Sequence, residues 1–286
     1  MQTKILLTSD WHLFGPEGDR FKRLADLKKL CESDKPDVVI HAGDLVEPDG
    51  GRSYQDGLRV LAEAVSSVRC VLTTAGNNDL DAVVRSGIPL SQALAYMFVA
   101  CADHGIRLLD VDPWKYGPLR YAGGHGGFDG SLFRETDLSR GQTAAAHMEA
   151  EGHRWQKYGL DALPGEFFAS CRRRLLGHLA EDEVAPTILV THTVPTPEMV
   201  RYGSSAKYDM LNAYMGWDEV AAGAELWKSN VVAHLCGHVH RGYSLMLPTQ
   251  FGSIPAFNAS GNDEMFLIVV DQDEYGRVSA IGHHRV

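Results

Sequence analysis

Two rhythms alternate along the first hundred residues. Short apolar runs occupy 4–9 (KILLTS), 37–43 (DVVIHAG) and 70–76 (CVLTTAG), too short for helices and rich in strand-favouring residues. Between them, Phe21, Leu24, Leu27 and Leu30 recur at helical spacing, and 54–68 and 90–105 read as two further helices. This β-α-β-α-β order predicts a largely parallel sheet covered by helices. Ligands of such sheets gather beyond the carboxyl ends of the strands.

The rhythm changes at about 111. From there to about 185 the chain opens with DPWKYGPLRYAGGHGGFDGS, rich in glycine and aromatic residues. It continues through a polar, helix-forming stretch that holds His147 and His153. The segment reads as a strand, an active-site loop and a helical insertion or cap. Strand patterns return at 187–192 (TILVTH) and 230–240 (NVVAHLCGHVH). The segments YSLML, IPAFNAS and EMFLIVVDQDEYGRVSAIGHH then read as a closing series of antiparallel strands. No repeat, low-complexity tract or Pro/Ser-rich linker interrupts the pattern. Residues 1–286 are therefore expected to form a single domain with an insertion at about 111–185.

Composition narrows the function classes. Hydrophobic residues make up 44% and charged residues 22%, so a sizeable core can be buried. No apolar run approaches the roughly 20 residues of a membrane span. The N-terminal MQTKILLTSDWH lacks a signal-peptide layout, so a cytoplasmic protein with no membrane partner is expected. Cys31, Cys70, Cys101, Cys171 and Cys236 are spread singly, which argues against a disulfide framework or a paired-cysteine zinc site. The net charge of −10 disfavours a nucleic-acid surface. It permits a small phosphorylated substrate, because bound divalent cations reverse the field locally.

The chemistry concentrates at five strand ends. TSDWH supplies Asp10 and His12, HAGDLVE supplies Asp44, AGNND supplies Asn77, VTHTVP supplies His192, and CGHVH supplies His238 and His240. Each piece alone is ordinary turn chemistry. Five in a row, all at strand ends, point to residues that a parallel sheet brings to one edge. Carboxylate, amide and imidazole donors together suit Mn, Fe or Zn better than Ca or Mg. Two such ions about 3.5–4 Å apart can share one carboxylate, lower the pKa of a bridging water and hold a phosphoryl group for in-line attack.

The order Asp-x-His, Gly-Asp, Gly-Asn, strand-Thr-His, Gly-His-x-His resembles the calcineurin-like metallophosphoesterases over the whole chain except about 111–185. The resemblance implies an α/β fold, a four-layer α/β/β/α sandwich, with a centre of two divalent transition-metal ions. It implies Asp10, His12 and His240 on one metal, Asn77, His192 and His238 on the other, and Asp44 bridging them. The expected reaction is hydrolysis of a small phosphodiester or nucleotide-like substrate by a metal-bridging hydroxide. Two alternatives are a nuclease-like phosphodiesterase, using the cationic run CRRRLLGH (171–178), and a non-catalytic metal-binding scaffold of the same fold.

One position departs from the family pattern. Many members read Gly-Asn-His where this chain reads Gly-Asn-Asn. A carboxamide cannot act as an acid near neutral pH, and acid help is typically worth about 10²–10⁴-fold. Asn78 is therefore expected to position the phosphate, with His125 in GGHGG the candidate proton donor. Asp79 is expected either to orient Asn78 or the turn, or to cap a following helix. His41 and His234 read as core or ligand-supporting histidines. The loop after His192 carries Arg201, Tyr202, Lys207, Tyr208 and Asn212 as candidate substrate contacts.

Overall fold

A computed structural model of the chain describes residues 1–15, 20–48, 53–132, 164–202, 212–260 and 264–286. In chain order the elements are β1 (Gln2–Thr8), α1 (Arg20–Asp34), β2 (Val38–His41), α2 (Tyr54–Ala64), β3 (Cys70–Thr73), α3 (Asn77–Arg85), α4 (Leu90–Asp103), β4 (Arg107–Leu108), β5 (Trp114–Tyr116) and β6 (Leu119–Gly124). There follow α5 (Pro164–Ala180), β7 (Thr187–Thr191), β8 (Val231–Cys236), β9 (Tyr243–Thr249), β10 (Gly252–Asn258), β11 (Phe266–Gln272) and β12 (Val278–Arg285).

The strands form two six-stranded sheets, ordered β12-β11-β1-β2-β3-β4 and β5-β6-β7-β8-β10-β9. In the first, β1 to β4 are mutually parallel, and β11 joins β1 antiparallel. In the second, β6, β7, β8 and β10 are parallel, with β5 and β9 antiparallel on the edges.

Side-chain alternation along a strand decides what each sheet face meets. Ile5, Leu7, Val38, Ile40 and Leu72 point from the first sheet into a core shared with Tyr121, Ile188, Val190, Leu235 and Phe257 of the second. Leu6, Val39 and Val71 point the other way, under Leu27, Leu58, Leu61 and Met97 of the helices. On the outer face of the second sheet, Ala122 and Leu189 pack with Leu175 and Leu179 of α5 and with Trp217 and Trp227. The result is the expected four-layer α/β/β/α sandwich. Every strand buried on both faces reads as a continuous apolar run, which is why 4–9 and 70–76 show no alternation.

One expectation changes. Strand β10 is not part of an antiparallel series, because it lies parallel to β8 and only its hairpin partner β9 is antiparallel. One helix is added: Asn77 opens α3, hidden by its polar first residues. Within the stretch read as a strand, an active-site loop and a helical cap, β5 and β6 are strands of the second sheet, and α5 packs on β6. The remainder at 133–163, including His147 and His153, lies outside the described residues. Among the described residues no single helix is long and apolar enough to cross a membrane, and all five cysteines are free.

A buried carboxylate fastens α5 to the loop that follows β7. Glu219 is fully buried and accepts from Arg172 Nη2 at 3.0 Å, Arg172 Nε at 3.1 Å, Trp217 Nε1 at 2.7 Å and the Leu226 amide at 3.0 Å. Removing one partner of a buried ion pair strands the other. Glu219→Ala should therefore lower unfolding stability by about 3–5 kcal/mol, measured by urea denaturation.

Candidate metal centre

Five strand ends deliver the predicted residues to one edge of the sandwich. After β1 and β2 the chain keeps a short parallel register: Asp10 N–H donates to Gly43 O and His12 N–H to Asp44 O, both at 3.0 Å. Side chains that alternate along this segment bring Asp10, His12 and Asp44 into contact. Their backbones leave the strands in a left-handed turn. Positive φ occurs at Asp10 (54°), His12 (44°), Asp44 (55°), His238 (72°) and His240 (51°). Each such residue costs about 1–2 kcal/mol for an L-amino acid, and concentrated strain of this kind marks functional sites.

Close backbone approach is required as well. A Cβ at Gly76 would lie 2.1 Å from both the amide nitrogen and Oδ1 of Asp44, and one at Gly237 would lie 1.9 Å from Ser9 Oγ. Only glycine lets α3 and the His238 loop come this near.

The donor atoms form two groups that share Asp44, each with its atoms within 4.8 Å of one another: Asp10, His12, Asp44 and His240; and Asp44, His192 and His238. In the second, His192 Nε2 lies 3.1 Å from His238 Nδ1, 3.1 Å from Asn77 Oδ1 and 3.5 Å from Asp44 Oδ1. In the first, His12 Nε2 lies 3.2 Å from His240 Nε2 and 3.9 Å from Asp10 Oδ1 and Asp44 Oδ2.

The tautomers are set from outside the cluster. His192 Nδ1–H donates to Ala42 O at 2.8 Å, and His238 Nε2–H donates to Tyr214 O at 2.9 Å. With those protons committed, the facing nitrogens of the neutral rings present lone pairs to each other and to oxygen acceptors. Asp10 Oδ2 is taken by Ser9 Oγ at 2.5 Å and the His238 amide at 2.8 Å. Asp10 Oδ1 is buried with no hydrogen-bond partner among the described residues. Converging lone pairs and an orphaned buried carboxylate oxygen fit a cation between them.

Without a cation, protons carry the compensating charge. Burial pushes the Asp10 carboxyl up, but His240 and His192 bring it down to about 2. Burial likewise opposes ionisation of Asp44, yet the His192 charge and hydrogen bond leave it well below the carboxylate range. Burial lowers His192, whereas Asp44 and Asp10 lift it to about 9.

Asn78 does not stand free at the mouth. Its backbone N–H donates to Asp44 Oδ1 at 2.8 Å and its Nδ2 to Asp44 Oδ2 at 2.9 Å. The carboxamide thus clamps the shared carboxylate. His125 is almost fully buried, its ring centroid 5.8 Å from that of His192. Its Nδ1 accepts from the Gly127 amide at 3.0 Å, and burial followed by the His192 and His238 charges pushes its pKa well down. The imidazole is thus buried and neutral, with Nδ1 taken by the Gly127 amide.

Asp79 orients the turn, one of its two expected readings, and is not the N-cap of α3, which is Gly76. Oδ2 accepts from the Gly76 amide at 3.0 Å, closing the first turn of α3, while Oδ1 accepts from the Leu45 and Val46 amides at 2.9 and 3.0 Å. It fixes the segment after Asp44 against the turn that carries Asn78. His41 and His234 are core residues, each lowered to about 3 by burial; His234 Nε2 is 2.8 Å from Thr191 Oγ1. In the loop after His192, Tyr202 donates to Leu132 O and Asn212 donates to Arg201 O. Lys207 and Tyr208 lie outside the described residues.

Two supporting carboxylates were not anticipated. Glu47 Oε2 lies 3.2 Å from His12 Nδ1. Asp110 accepts from the Ala75 and His125 amides at 2.7 Å each and so bolts the third strand end to the GGHGG loop. Asp110 follows an apolar strand end, the same signal that marked the other five. Glu47 carried no signal beyond its place three residues after Asp44.

A sandwich whose parallel strand ends gather two metal-capable donor groups around one carboxylate has the architecture of the metal-dependent phosphoesterases. The chain belongs to the calcineurin-like phosphoesterase family, whose sequence model matches residues 3–242. No curated protein sequence matches it significantly. Among solved structures it is similar to a dimetal phosphatase from Danio rerio, with 13% identity and a TM-score of 0.58, covering 99% of this chain and 98% of that one. A phosphopantetheinyl hydrolase from Mycobacterium tuberculosis is 17% identical with a TM-score of 0.56, covering 90% of this chain and 88% of that one. A purple acid phosphatase from yellow lupin seeds is 16% identical with a TM-score of 0.52, covering 99% of this chain and 53% of that one. These likenesses are of fold.

Asp79→Ala leaves three buried amides without their acceptor. It should cost at least about 3 kcal/mol in urea denaturation, at about 1–3 kcal/mol for each unpaired group.

Proposed function

We propose that the protein is a dinuclear metal-dependent phosphoesterase acting on a small phosphodiester or nucleotide-like substrate. The observation that carries this reading is the pair of donor groups around Asp44, with His192 Nε2 and His238 Nδ1 facing each other 3.1 Å apart. Asp10, His12 and His240 would hold one ion and Asn77, His192 and His238 the other, with Asp44 available to both. Two divalent ions of Mn, Fe or Zn type supply a Lewis-acid clamp on the phosphoryl group and an acidified water at neutral pH. The protein's own residues fix the geometry. Ala42 O and Tyr214 O set the imidazole tautomers, Asn78 locks the shared carboxylate, and neutral His125 packs behind His192.

Asn78 carries no acidic proton, and the His240 side chain is 62% exposed, so the centre opens to water. We assign the leaving-group proton to solvent. A small substrate is favoured over nucleic acid because two of the three arginines in the cationic run 171–178 are engaged within the protein. Arg172 pairs with Glu219 and Glu225, and Arg174 Nη1 donates to Asp110 O. Five free cysteines suit a reducing compartment, in keeping with a cytoplasmic protein. The phosphopantetheinyl hydrolase likeness adds one substrate class, a phosphopantetheinyl ester, to those worth assaying.

Purified protein with added manganese should bind two ions per chain and hydrolyse bis-(p-nitrophenyl) phosphate. No bound metal together with no turnover of this ester, p-nitrophenyl phosphate or a phosphopantetheinyl ester would refute the reading. Asp44→Asn should cut turnover by about 100- to 1,000-fold, the scale expected when transition-state charge loses its support.

Metal uptake should also depend on pH, because His192 holds a proton up to about pH 9 in the metal-free protein and must release it. Affinity should therefore rise with pH by roughly tenfold per unit and level off above the His192 pKa, as read by calorimetry in two buffers. A flat profile from pH 6 to 9 would contradict it.

A further inference from the structure

The backbone places Glu47 beside the His12 loop. Leu13 N–H donates to Leu45 O at 2.8 Å, and Glu47 N–H donates back to Leu13 O at 2.9 Å, a parallel bridge between the segments after β1 and β2. From there Glu47 Oε2 reaches to 3.2 Å from His12 Nδ1, while His12 Nε2 faces Asp10, Asp44 and His240 on the other side of the ring. Asn78 Nδ2, which carries two hydrogens, donates one to Asp44 Oδ2 at 2.9 Å and lies 3.0 Å from His12 Nδ1. His12 Nδ1 thus sits between an amide donor and a carboxylate, and only the carboxylate can accept a proton held on Nδ1.

We propose that Glu47 is a positioning residue that holds the His12 proton on Nδ1 and so presents the Nε2 lone pair to the metal centre. The proposal rests on the dinuclear reading above. A neutral imidazole has one proton, and where it sits decides which nitrogen can bind metal. The other two oriented ligands, His192 and His238, use backbone carbonyls for this purpose. His12 alone among the three uses a charged acceptor, which makes its ring a stronger donor. The Glu47 side chain is also 25% exposed, so it can be altered without opening the core. Glu47 touches only the group of Asp10, His12 and His240, so its loss should weaken one ion and spare the other.

The test uses metal-free protein titrated with manganese by calorimetry, as wild type, Glu47→Gln, Glu47→Ala and the control Glu63→Ala. Glu63 is an exposed partner of Arg59 on α2. Glu47→Ala should weaken one of the two binding events by about 10–100-fold and leave the other unchanged. Glu47→Gln, which keeps an oxygen acceptor, should recover part of the loss, and Glu63→Ala should match wild type. Equal weakening of both events, or no change in either, overturns the proposal.

Nitrogen-15 histidine spectra of the metal-free protein, recorded above the imidazole titration, give a second readout. They should show His12 protonated at Nδ1 in wild type and shifted toward Nε2–H in Glu47→Ala. An Nε2–H tautomer in wild type overturns the proposal. Fewer than two ions bound by a wild type that keeps the Nδ1–H tautomer supports the Glu47 contact and instead removes the dinuclear reading.

Discussion

The architecture turns on one carboxylate. Asp44 accepts both the main-chain and side-chain N–H of Asn78, and its two oxygens face His192 on one side and His12 on the other. Nothing in the local sequence would hold an ionised group in so dry a place. It is stable there because α3 begins directly against it, with amides and a positive dipole end aimed at the charge. That approach requires Gly76 to have no side chain, and it requires Asp79 to staple the two segments together. Asp44 is thus less a member of the site than the point at which two layers of the sandwich agree on their relative position.

The two sheets divide the work. The first supplies Asp10, His12, Asp44 and Asn77, and the second supplies His192, His238 and His240. Among the described residues, hydrogen bonds that cross between them include His192 to Ala42 O, the His238 amide to Asp10, and the His125 amide to Asp110. The shared apolar core between the sheets therefore does more than stabilise the fold. It sets the spacing of the donor groups, so small changes in packing at Ile40 or Val190 would be felt as changes in donor geometry.

Much of this was legible in the sequence, and the reasons differ by residue. Strands such as 4–9 and 187–192 are legible because burial on both faces gives each an apolar centre, Ile5–Leu7 and Ile188–Val190. The candidate metal-binding residues are legible because a parallel sheet turns sequence position into spatial convergence. Helix α3 was missed because its opening residues are chosen for contact with Asp44 and not for helical periodicity. The Asn78 contacts to Asp44 and the Gly127 contact of His125 were not legible, because type and strand-end position are local, whereas the partner of a side chain is not. Glu47 is the clearest instance. Its function is defined by a ring 35 residues earlier, and no spacing rule within HAGDLVE could reveal that.

The left-handed corners at the strand ends have a consequence for how such a centre arises. Asp, Asn and His are the non-glycine residues that enter this backbone region most readily. They are also residues whose oxygens and nitrogens bind divalent ions. A sharp corner after a parallel strand thus selects, for conformational reasons alone, side chains able to hold metal. The centre needed no separate choice of backbone and chemistry. It follows that asparagine is the replacement of least disturbance at His12, His238 or His240, since it keeps the corner while withdrawing the imidazole, and that glycine would keep the corner at the cost of chain order.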